Sequence, residues 1–301
     1  MPKISVILAT FNEEKNIAAC LKTVTWADEI IVVDGSSTDK TVAIAKKFTP
    51  NVLVRENPLM FHKNKQLAIN KAGGDWILYL DADERVSPKL KLEIQKVIQN
   101  NDINGYWIPR KNIIFGQWIR HTGWYPDYKL RLFKNGKAYL PCKSVHEEPV
   151  LNGKAGYLNN NLIHYNYQNI HQFVRKLNNL YTQNDRDVFL SSGKKIYWQD
   201  ALRFPVSDFL KRYFLEEGYK DGLHGLNLSL FQAFMAFTTF AKIWEKEGFA
   251  SSAPANTLSG VAGEFKRIGK EFNYWLLTAK MNNSRSIIRK GYFRLLRKLS
   301  R

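Results

Sequence analysis

The stretch 76–84, WILYLDADE, decides the fold class of this chain. Five consecutive apolar residues that end at polar ones are typical of a strand buried on both faces. Short apolar runs recur along the first hundred residues, and segments with apolar residues at helical spacing lie between them. The runs are 4–9, 30–33, 52–54 and 76–80, and the helical segments are 13–24, 38–48 and 61–72. This alternation predicts an α/β fold with a mostly parallel sheet flanked by helices.

Polar segments follow three of the predicted strands, at 10–13, 34–39 and 81–84. In parallel sheets, ligands bind beyond the carboxyl ends of the strands. We therefore expect the three segments to meet at one edge of the sheet and to form a binding site there.

Asp81 and Asp83, with Glu84 beside them, offer carboxylate oxygens to a hard divalent cation. Mg²⁺ or Mn²⁺ at such a place can bridge the phosphates of a nucleotide diphosphate and stabilise its departure. The alternative is a solvated acidic turn, but the position at a strand end favours the metal. Asp34 could accept hydrogen bonds from a nucleobase or ribose, or could belong to an ordinary Asp-Gly-Ser-Ser turn.

Three ordered motifs resemble those of family 2 glycosyltransferases: TFNEE at 10–14, IVVDGSSTDKT at 31–41 and GDWILYLDADE at 74–84. The resemblance covers roughly residues 3–150 and implies the GT-A nucleotide-diphospho-sugar transferase fold. WYPD at 124–127, RLF at 131–133 and VHE at 145–147 are similar to a narrower subgroup, the lipopolysaccharide and lipooligosaccharide core β-1,4-glucosyltransferases.

The resemblance implies a metal-dependent, inverting hexosyltransferase. It implies transfer of a hexose, glucose in the subgroup, from a UDP-sugar to a membrane-anchored glycolipid such as the lipopolysaccharide inner core. Polyprenyl phosphate and another cell-surface polysaccharide precursor are the alternative acceptors. The implied nucleotide-sugar contacts are Thr10, Asn12, Glu13, Asp34, Lys65, Asp81 and Arg131, and the implied metal ligands are Asp83 and Asp81.

Inverting transfer needs one general base, which removes the proton of the acceptor hydroxyl. The Glu-Asp pair that many relatives carry is absent, and His146-Glu147 occupies about that place. Glu147 is the first candidate for the base and Asp127 the second. His146 could be a further metal ligand, a phosphate donor or a structural histidine. Arg131 could pair with the diphosphate or be a plain surface residue.

The formal net charge of +18 is uneven, because residues 264–301 hold 11 Lys and Arg and only 2 Glu. Such a field attracts nucleic acid, anionic lipid or phosphorylated ligands. Nucleic acid is disfavoured as a partner, since no basic-aromatic motif of a recognised module is present and the acid clusters would be unexplained. Two cysteines, Cys20 and Cys142, without metal-type spacing fit a reducing compartment.

The stretch Gly225–Trp244 is long enough to span a bilayer, but polar residues interrupt it. It predicts an interfacial or partly embedded helix, with a buried amphipathic helix of the protein as the alternative. Residues 285–301 form a basic amphipathic pattern that is typical of binding to anionic lipid. We expect a GT-A catalytic domain at 1–165 and a helical, basic region at 166–301. The protein is expected to be peripheral or monotopic at the cytoplasmic face of the inner membrane.

Overall fold

A computed structural model of the chain describes residues 1–58, 60, 62–142, 147–250 and 257–299. The predicted metal ligand His146 lies outside the described residues. The chain divides into two compact units. The first contains residues 1–113 and 125–166, and the second contains residues 114–124 and 167–301.

The first unit is built on a large mixed sheet flanked by helices, which confirms the predicted α/β class. The strands are β1 Ile4–Thr10, β2 Glu29–Asp34, β3 Val52–Val54, β4 Trp76–Leu80, β5 Glu84–Val86, β6 Gly105–Ile114, β7 Gln117–Trp118, β8 Asp127–Lys134, β9 Ala138–Tyr139, β10 Val150–Leu151, β11 Ala155–Tyr157 and β12 Leu162–Tyr167. Of these, β7 lies in the second unit, and the other strands belong wholly or mainly to the first unit. Its helices are α1 Ile17–Lys22, α2 Thr41–Ala45, α3 His62–Lys71 and α4 Pro88–Val97. The strand order along the sheet is β3-β2-β1-β4-β8-β6-β12-β5.

The apolar runs are continuous because both faces of the central strands are covered. Along β4, Leu78 and Leu80 join the core cluster that also contains residues of α1 and α4. Their neighbours Ile77 and Tyr79 join the opposite cluster, with residues of α3. Since side chains alternate across a strand, each face takes every second residue and no position is left for a polar one.

The sheet is parallel from β3 to β4 and mixed beyond it, where β11 pairs in parallel with β6. Strands β1 to β4 pair in parallel, whereas β8 runs antiparallel to both β4 and β6. The runs at 106–109 and 130–133 that suggested strands lie in β6 and β8. In this arrangement Arg131 of β8, Arg110 of β6 and His164 of β12 lie next to the polar segment that follows β4.

The second unit is helical, as expected for the chain after about residue 170. Its α-helices are α5 Ile170–Lys176, α6 Thr182–Ser191, α7 Asp200–Leu210, α8 Gly222–Lys246, α9 Thr257–Asn283 and α10 Ile287–Leu299. Segment 114–124 is bonded to a side chain of this unit: the carboxylate of Asp221, which precedes α8, accepts from the backbone N–H groups of Arg120 and His121. Among the described helices, none has an apolar stretch long enough to cross a membrane.

Candidate active site

The ends of β1 and β2 are joined through one buried carboxylate. Thr10 pairs with Asp34 in the register of the two strands, and its hydroxyl donates to Asp34 Oδ2 over 3.0 Å. The N–H and the hydroxyl of Ser37 donate to the same carboxylate at 2.7 and 2.6 Å. A carboxylate has about four acceptor positions, so these donors leave little room for another. Asp34 therefore orders the turn after β2, and its contact with a nucleobase stays a prediction.

The loops after β1 and β2 are also bonded to each other. The N–H of Asn12 donates to Ser37 Oγ at 2.8 Å, and Asn12 Oδ1 accepts from the N–H of Thr38 at 2.9 Å. The N–H of Glu13 donates to Thr41 Oγ1 at 2.7 Å. The residues predicted to contact the nucleotide on these two loops thus lie together at one edge of the sheet.

Asp81, the first acid after β4, is paired with two cations. Lys65 Nζ lies 2.8 Å from Asp81 Oδ1, and Arg131 Nη2 lies 2.5 Å from Asp81 Oδ2. Burial by itself raises the pKa of Asp81, but the charges of Arg131 and Lys65 outweigh it and hold that pKa well below its ordinary value. Asp81 is therefore ionised, and both of its oxygens contact protein cations.

The two cations share a second partner, the ring of Tyr79 on β4. Lys65 Nζ lies 4.9 Å from the ring centroid and the guanidinium carbon of Arg131 lies 4.3 Å from it. Burial lowers the pKa of both groups, yet Asp81 reverses the shift and raises the pKa of each. Arg131 is buried, and its Nε has no hydrogen-bond partner among the described residues. A buried N–H of this kind can serve an anionic ligand such as a phosphate.

Glu84 faces the interior of the first unit and is fully buried. Its Oε1 accepts from Arg131 Nη2 at 2.8 Å and lies 3.5 Å from Arg110 Nη1. Its Oε2 accepts from the N–H of Asp81 at 2.9 Å. The carboxylate of Glu84 thus holds two guanidinium groups in place, instead of adding a third oxygen to a cation site beside Asp81 and Asp83.

Asp127, the second candidate for the base, begins β8 opposite Arg110 of β6. Its Oδ2 accepts from Arg110 Nε and Nη2 at 2.8 and 2.6 Å and from Asn112 Nδ2 at 3.1 Å. Lys129 Nζ lies 3.9 Å from the other oxygen, Oδ1. Burial raises the pKa of Asp127, but Arg110, Asn112 and Lys129 together lower it below its ordinary value. Asp127 is an ionised carboxylate with Oδ2 occupied by donors and Oδ1 more open.

These pairs join into one line of alternating charges, which we call the charge chain. Each member of the charge chain lies within 4 Å of the next, and all of its members belong to the first unit. Its members in order are Lys65, Asp81, Arg131, Glu84, Arg110, Asp127, Lys129 and Glu148. The charge chain holds four cations and four carboxylates, so its side chains have no net charge. An anionic or cationic ligand that binds here must therefore compete with the ion pairs that already exist.

Asp83 lies outside the charge chain and faces a histidine. His164 Nε2 is 3.5 Å from Asp83 Oδ2, which is longer than an ordinary N–H···O hydrogen bond. The other ring nitrogen, Nδ1, lies 2.6 Å from Asn112 Oδ1. No group of three or more His, Cys, Asp or Glu side chains suited to a metal occurs within the described residues. A carboxylate and an imidazole nitrogen are nevertheless two ligands that a divalent cation can share.

Glu147, the first candidate for the base, is half-buried. It lies near Cys142, where burial and the charge of Glu147 both raise the pKa of the thiol. The neighbouring Glu148 ends the charge chain with a 2.5 Å contact to Lys129. The role of Glu147 as base stays a prediction.

Six residues of this arrangement were not identified from the sequence as site residues: Glu84, Arg110, Asn112, Lys129, Glu148 and His164. Arg110 and Asn112 alternate along β6 and so point to the same face, but a pattern of this kind is common in strands. Glu84 was read only as part of the acidic motif, and His164 lies far along the chain. In the folded protein these residues lie close to Asp83 and Asp127: His164 faces Asp83, Asn112 contacts both His164 and Asp127, and Arg110 lies near Glu84.

Comparison with known proteins identifies the family. Residues 5–148 match the sequence profile of Glycosyl transferase family 2. A glycosyltransferase of Rickettsia typhi is 31% identical over 265 residues, which cover 81% of this chain and 88% of that protein. The chain belongs to glycosyl transferase family 2.

Other proteins are similar to this family 2 glycosyltransferase. The lipopolysaccharide core biosynthesis glycosyltransferase LpsC of Rhizobium meliloti is 27% identical over 255 residues, 82% of this chain and 94% of LpsC. Staphylococcus aureus TarS, residues 1–349 in complex with UDP, is 15% identical with a TM-score of 0.44, covering 80% of this chain and 91% of TarS. The fold of the first unit is the GT-A fold of this family, followed by a helical C-terminal region.

Proposed function

We propose that this family 2 glycosyltransferase transfers a hexose, glucose in the first instance, from a UDP-sugar to a glycolipid at an anionic membrane surface. The observation that carries the proposal is the cluster beyond β4: Asp81 is held between Lys65 and Arg131, with Asp83 beside it. Lipopolysaccharide core as the acceptor is supported by the similarity to LpsC, a lipopolysaccharide core biosynthesis glycosyltransferase, and by the motifs at 124–127, 131–133 and 145–147.

The donor's diphosphate is assigned to Lys65 and Arg131. Both cations contact Asp81, and the buried Arg131 keeps one N–H without a hydrogen-bond partner among the described residues. A guanidinium matches the geometry of phosphate oxygens and an ammonium acts as a point charge. Thr10, Asn12, Glu13 and Asp34 form the adjoining edge, where the nucleoside is expected.

A divalent cation is assigned to Asp83 and His164 rather than to Asp81. The carboxylate of Asp83 faces His164 Nε2, whereas both oxygens of Asp81 already contact cations. A nitrogen ligand fits Mn²⁺ better than Mg²⁺, which takes oxygen ligands. When bound, the cation would polarise the diphosphate and stabilise the charge of the leaving group. Asp81 is expected to orient Lys65 and Arg131.

The acceptor hydroxyl requires a base, for which we keep Glu147 first and Asp127 second. Inverting transfer needs one such group, and both are carboxylates of the first unit. Asp127 is held rigidly by Arg110 and Asn112, so its open oxygen, Oδ1, has a defined direction. Its lowered pKa makes Asp127 a weaker base than an ordinary aspartate.

Attachment to the membrane is assigned to α10 and α8. In α10 the apolar residues are exposed instead of packed: Ile287, Ile288, Tyr292, Leu295 and Leu299. Basic residues fill most of the remaining positions of that helix. Along α8, Leu223, Leu230, Phe234, Phe237 and Trp244 are also exposed. A helix with apolar and cationic faces binds in the interface of anionic bilayers, and each basic residue near the surface contributes about 1 kcal/mol.

A donor screen tests the proposal. Purified protein is incubated with Mn²⁺, glycolipid vesicles and a panel of UDP-, GDP- and dTDP-sugars, and release of nucleoside diphosphate is measured. We expect a UDP-hexose to give the fastest release. Release from GDP- or dTDP-sugars alone would contradict the assignment of the donor.

A further inference from the structure

Three neighbouring strands place a line of polar side chains across the sheet. Asn112 lies on β6, between Asp127 on β8 and His164 on β12. Asn112 Nδ2 donates to Asp127 Oδ2 over 3.1 Å. On the other side, Asn112 Oδ1 lies 2.6 Å from His164 Nδ1. Asn112 is fully buried, so both contacts are made away from solvent.

The chemistry of the neighbours fixes the orientation of the Asn112 amide. An ionised carboxylate only accepts hydrogen bonds, so the NH₂ group must face Asp127 and the carbonyl oxygen must face His164. That oxygen needs a donor, and His164 Nδ1 must therefore carry a hydrogen. In the neutral ring the lone pair is then on Nε2, which is the atom that faces Asp83.

We propose that Asn112 is a positioning residue that orients both His164, a proposed metal ligand, and Asp127, the second candidate for the base. It sets the tautomer of His164, so that Nε2 faces Asp83 as a ligand. It also holds the carboxylate of Asp127 from the side opposite to its open oxygen. The inference rests on the proposed function and extends it to a residue that acts through His164 and Asp127.

Two substitutions separate these contributions. Asn112→Ala removes both hydrogen bonds. Asn112→Asp keeps an oxygen that accepts from His164 but replaces the donor facing Asp127 with a second acceptor. Partners that orient a metal-binding histidine typically contribute about 10- to 100-fold to metal affinity. Asn112→Ala should therefore weaken the cation site, and Asn112→Asp should spare it while impairing transfer.

The experiment measures Mn²⁺ binding to the full chain in the presence of UDP, with free Mn²⁺ read by electron paramagnetic resonance. The kcat and KM for the acceptor are measured on the same samples. For Asn112→Ala we expect Mn²⁺ affinity to fall about 10- to 100-fold together with kcat. For Asn112→Asp we expect Mn²⁺ affinity close to wild type and a kcat that falls with little change in the KM for the acceptor.

A double variant guards against a merely structural effect. Once His164→Ala has removed the ligand, adding Asn112→Ala should cost no further Mn²⁺ affinity, because neighbours acting through one group are not additive. The matched control is Asn166→Ala, which changes another buried asparagine, on β12. It should leave Mn²⁺ affinity unchanged. If Asn112→Ala does not fold, Asn112→Leu, which is similar in size and can neither donate nor accept a hydrogen bond, takes its place and should lower Mn²⁺ affinity by the same factor, about 10- to 100-fold.

Unchanged Mn²⁺ affinity in Asn112→Ala would overturn the inference, as would an equal loss in Asn166→Ala. Failure of the proposed function gives a different result: the wild-type protein would bind Mn²⁺ and UDP but transfer no hexose. In that case the Mn²⁺ measurements still decide whether Asn112 orients His164.

Discussion

Arg131 Nη2 lies 2.5 Å from Asp81 Oδ2, so the first acid of the Asp81-Ala82-Asp83 motif is neutralised by the protein itself. Lys65 contacts its other oxygen. The two acids of the motif are therefore not equivalent: Asp81 contacts two protein cations, and Asp83 is the one that we propose as a ligand of a metal ion.

The first prediction concerns Asp83. Asp83→Asn should lower turnover by at least about 10²-fold, as does loss of other single groups that stabilise a transition state, with the fold intact by circular dichroism. It should also weaken Mn²⁺ binding. Asp102→Asn, at an exposed acid of the same unit, is the matched control. Full activity of the wild-type protein in excess chelator would contradict the metal assignment.

The second prediction separates the candidates for the general base. Glu147→Gln should bind the donor normally and lose about 10²–10⁴-fold in transfer, the usual contribution of a general base. Asp127→Asn should lose less, because the amide still occupies the place beside Arg110. Donor affinity is measured by calorimetry and transfer by product formation. If Asp127→Asn is inactive and Glu147→Gln nearly normal, the base is Asp127.

The third prediction concerns stability. Glu84 is buried between Arg131 and Arg110, and Glu84→Gln leaves both cations short of a counter-charge. Removing one partner of a buried ion pair costs about 3–5 kcal/mol, so the first unit should unfold at a clearly lower temperature. Glu56→Gln, at an exposed glutamate, is the comparison in thermal unfolding followed by circular dichroism. Equal melting temperatures for the two variants would show that the charge chain does not stabilise the fold.

The sequence was sufficient for the parallel half of the sheet and the loops at its edge. Buried strands such as β4 have continuous apolar runs. The polar segments that follow them can be recognised from the local sequence, without knowledge of which strands pair. The charge chain could not be predicted, because it depends on antiparallel pairing of β8 with β4 and β6. Arg110, Asn112 and His164 lie on strands whose neighbours are distant in sequence, and only the register brings them to Asp127 and Asp83.

The fourth prediction concerns membrane attachment. Deleting residues 284–301 should shift part of the protein into the soluble fraction and leave hydrolysis of the donor largely unchanged, since the proposed nucleotide site belongs to the first unit. Binding of the full chain to anionic vesicles should weaken with salt, because exposed charges are screened over about 10 Å at 0.1 M. It should not vanish, because the apolar residues of α10 remain buried in the bilayer.

The control for this prediction is neutral phosphatidylcholine vesicles, to which binding should be weak at every salt concentration. A tag placed after residue 301 tests the arrangement independently. If protease reaches that tag from the non-cytoplasmic side of sealed vesicles, the chain crosses the membrane and an interfacial attachment is wrong.

The most direct test of the central claim is the initial rate of hexose transfer from radiolabelled UDP-glucose to lipopolysaccharide inner core in anionic vesicles, with Mn²⁺ present. We predict label in the glycolipid, release of an equal amount of UDP, and loss of both in Asp83→Asn. Release of UDP without incorporation of label into any lipid would contradict the proposal that the acceptor is a glycolipid. No release of UDP from any UDP-hexose, by a folded protein with Mn²⁺, would contradict the proposed reaction itself.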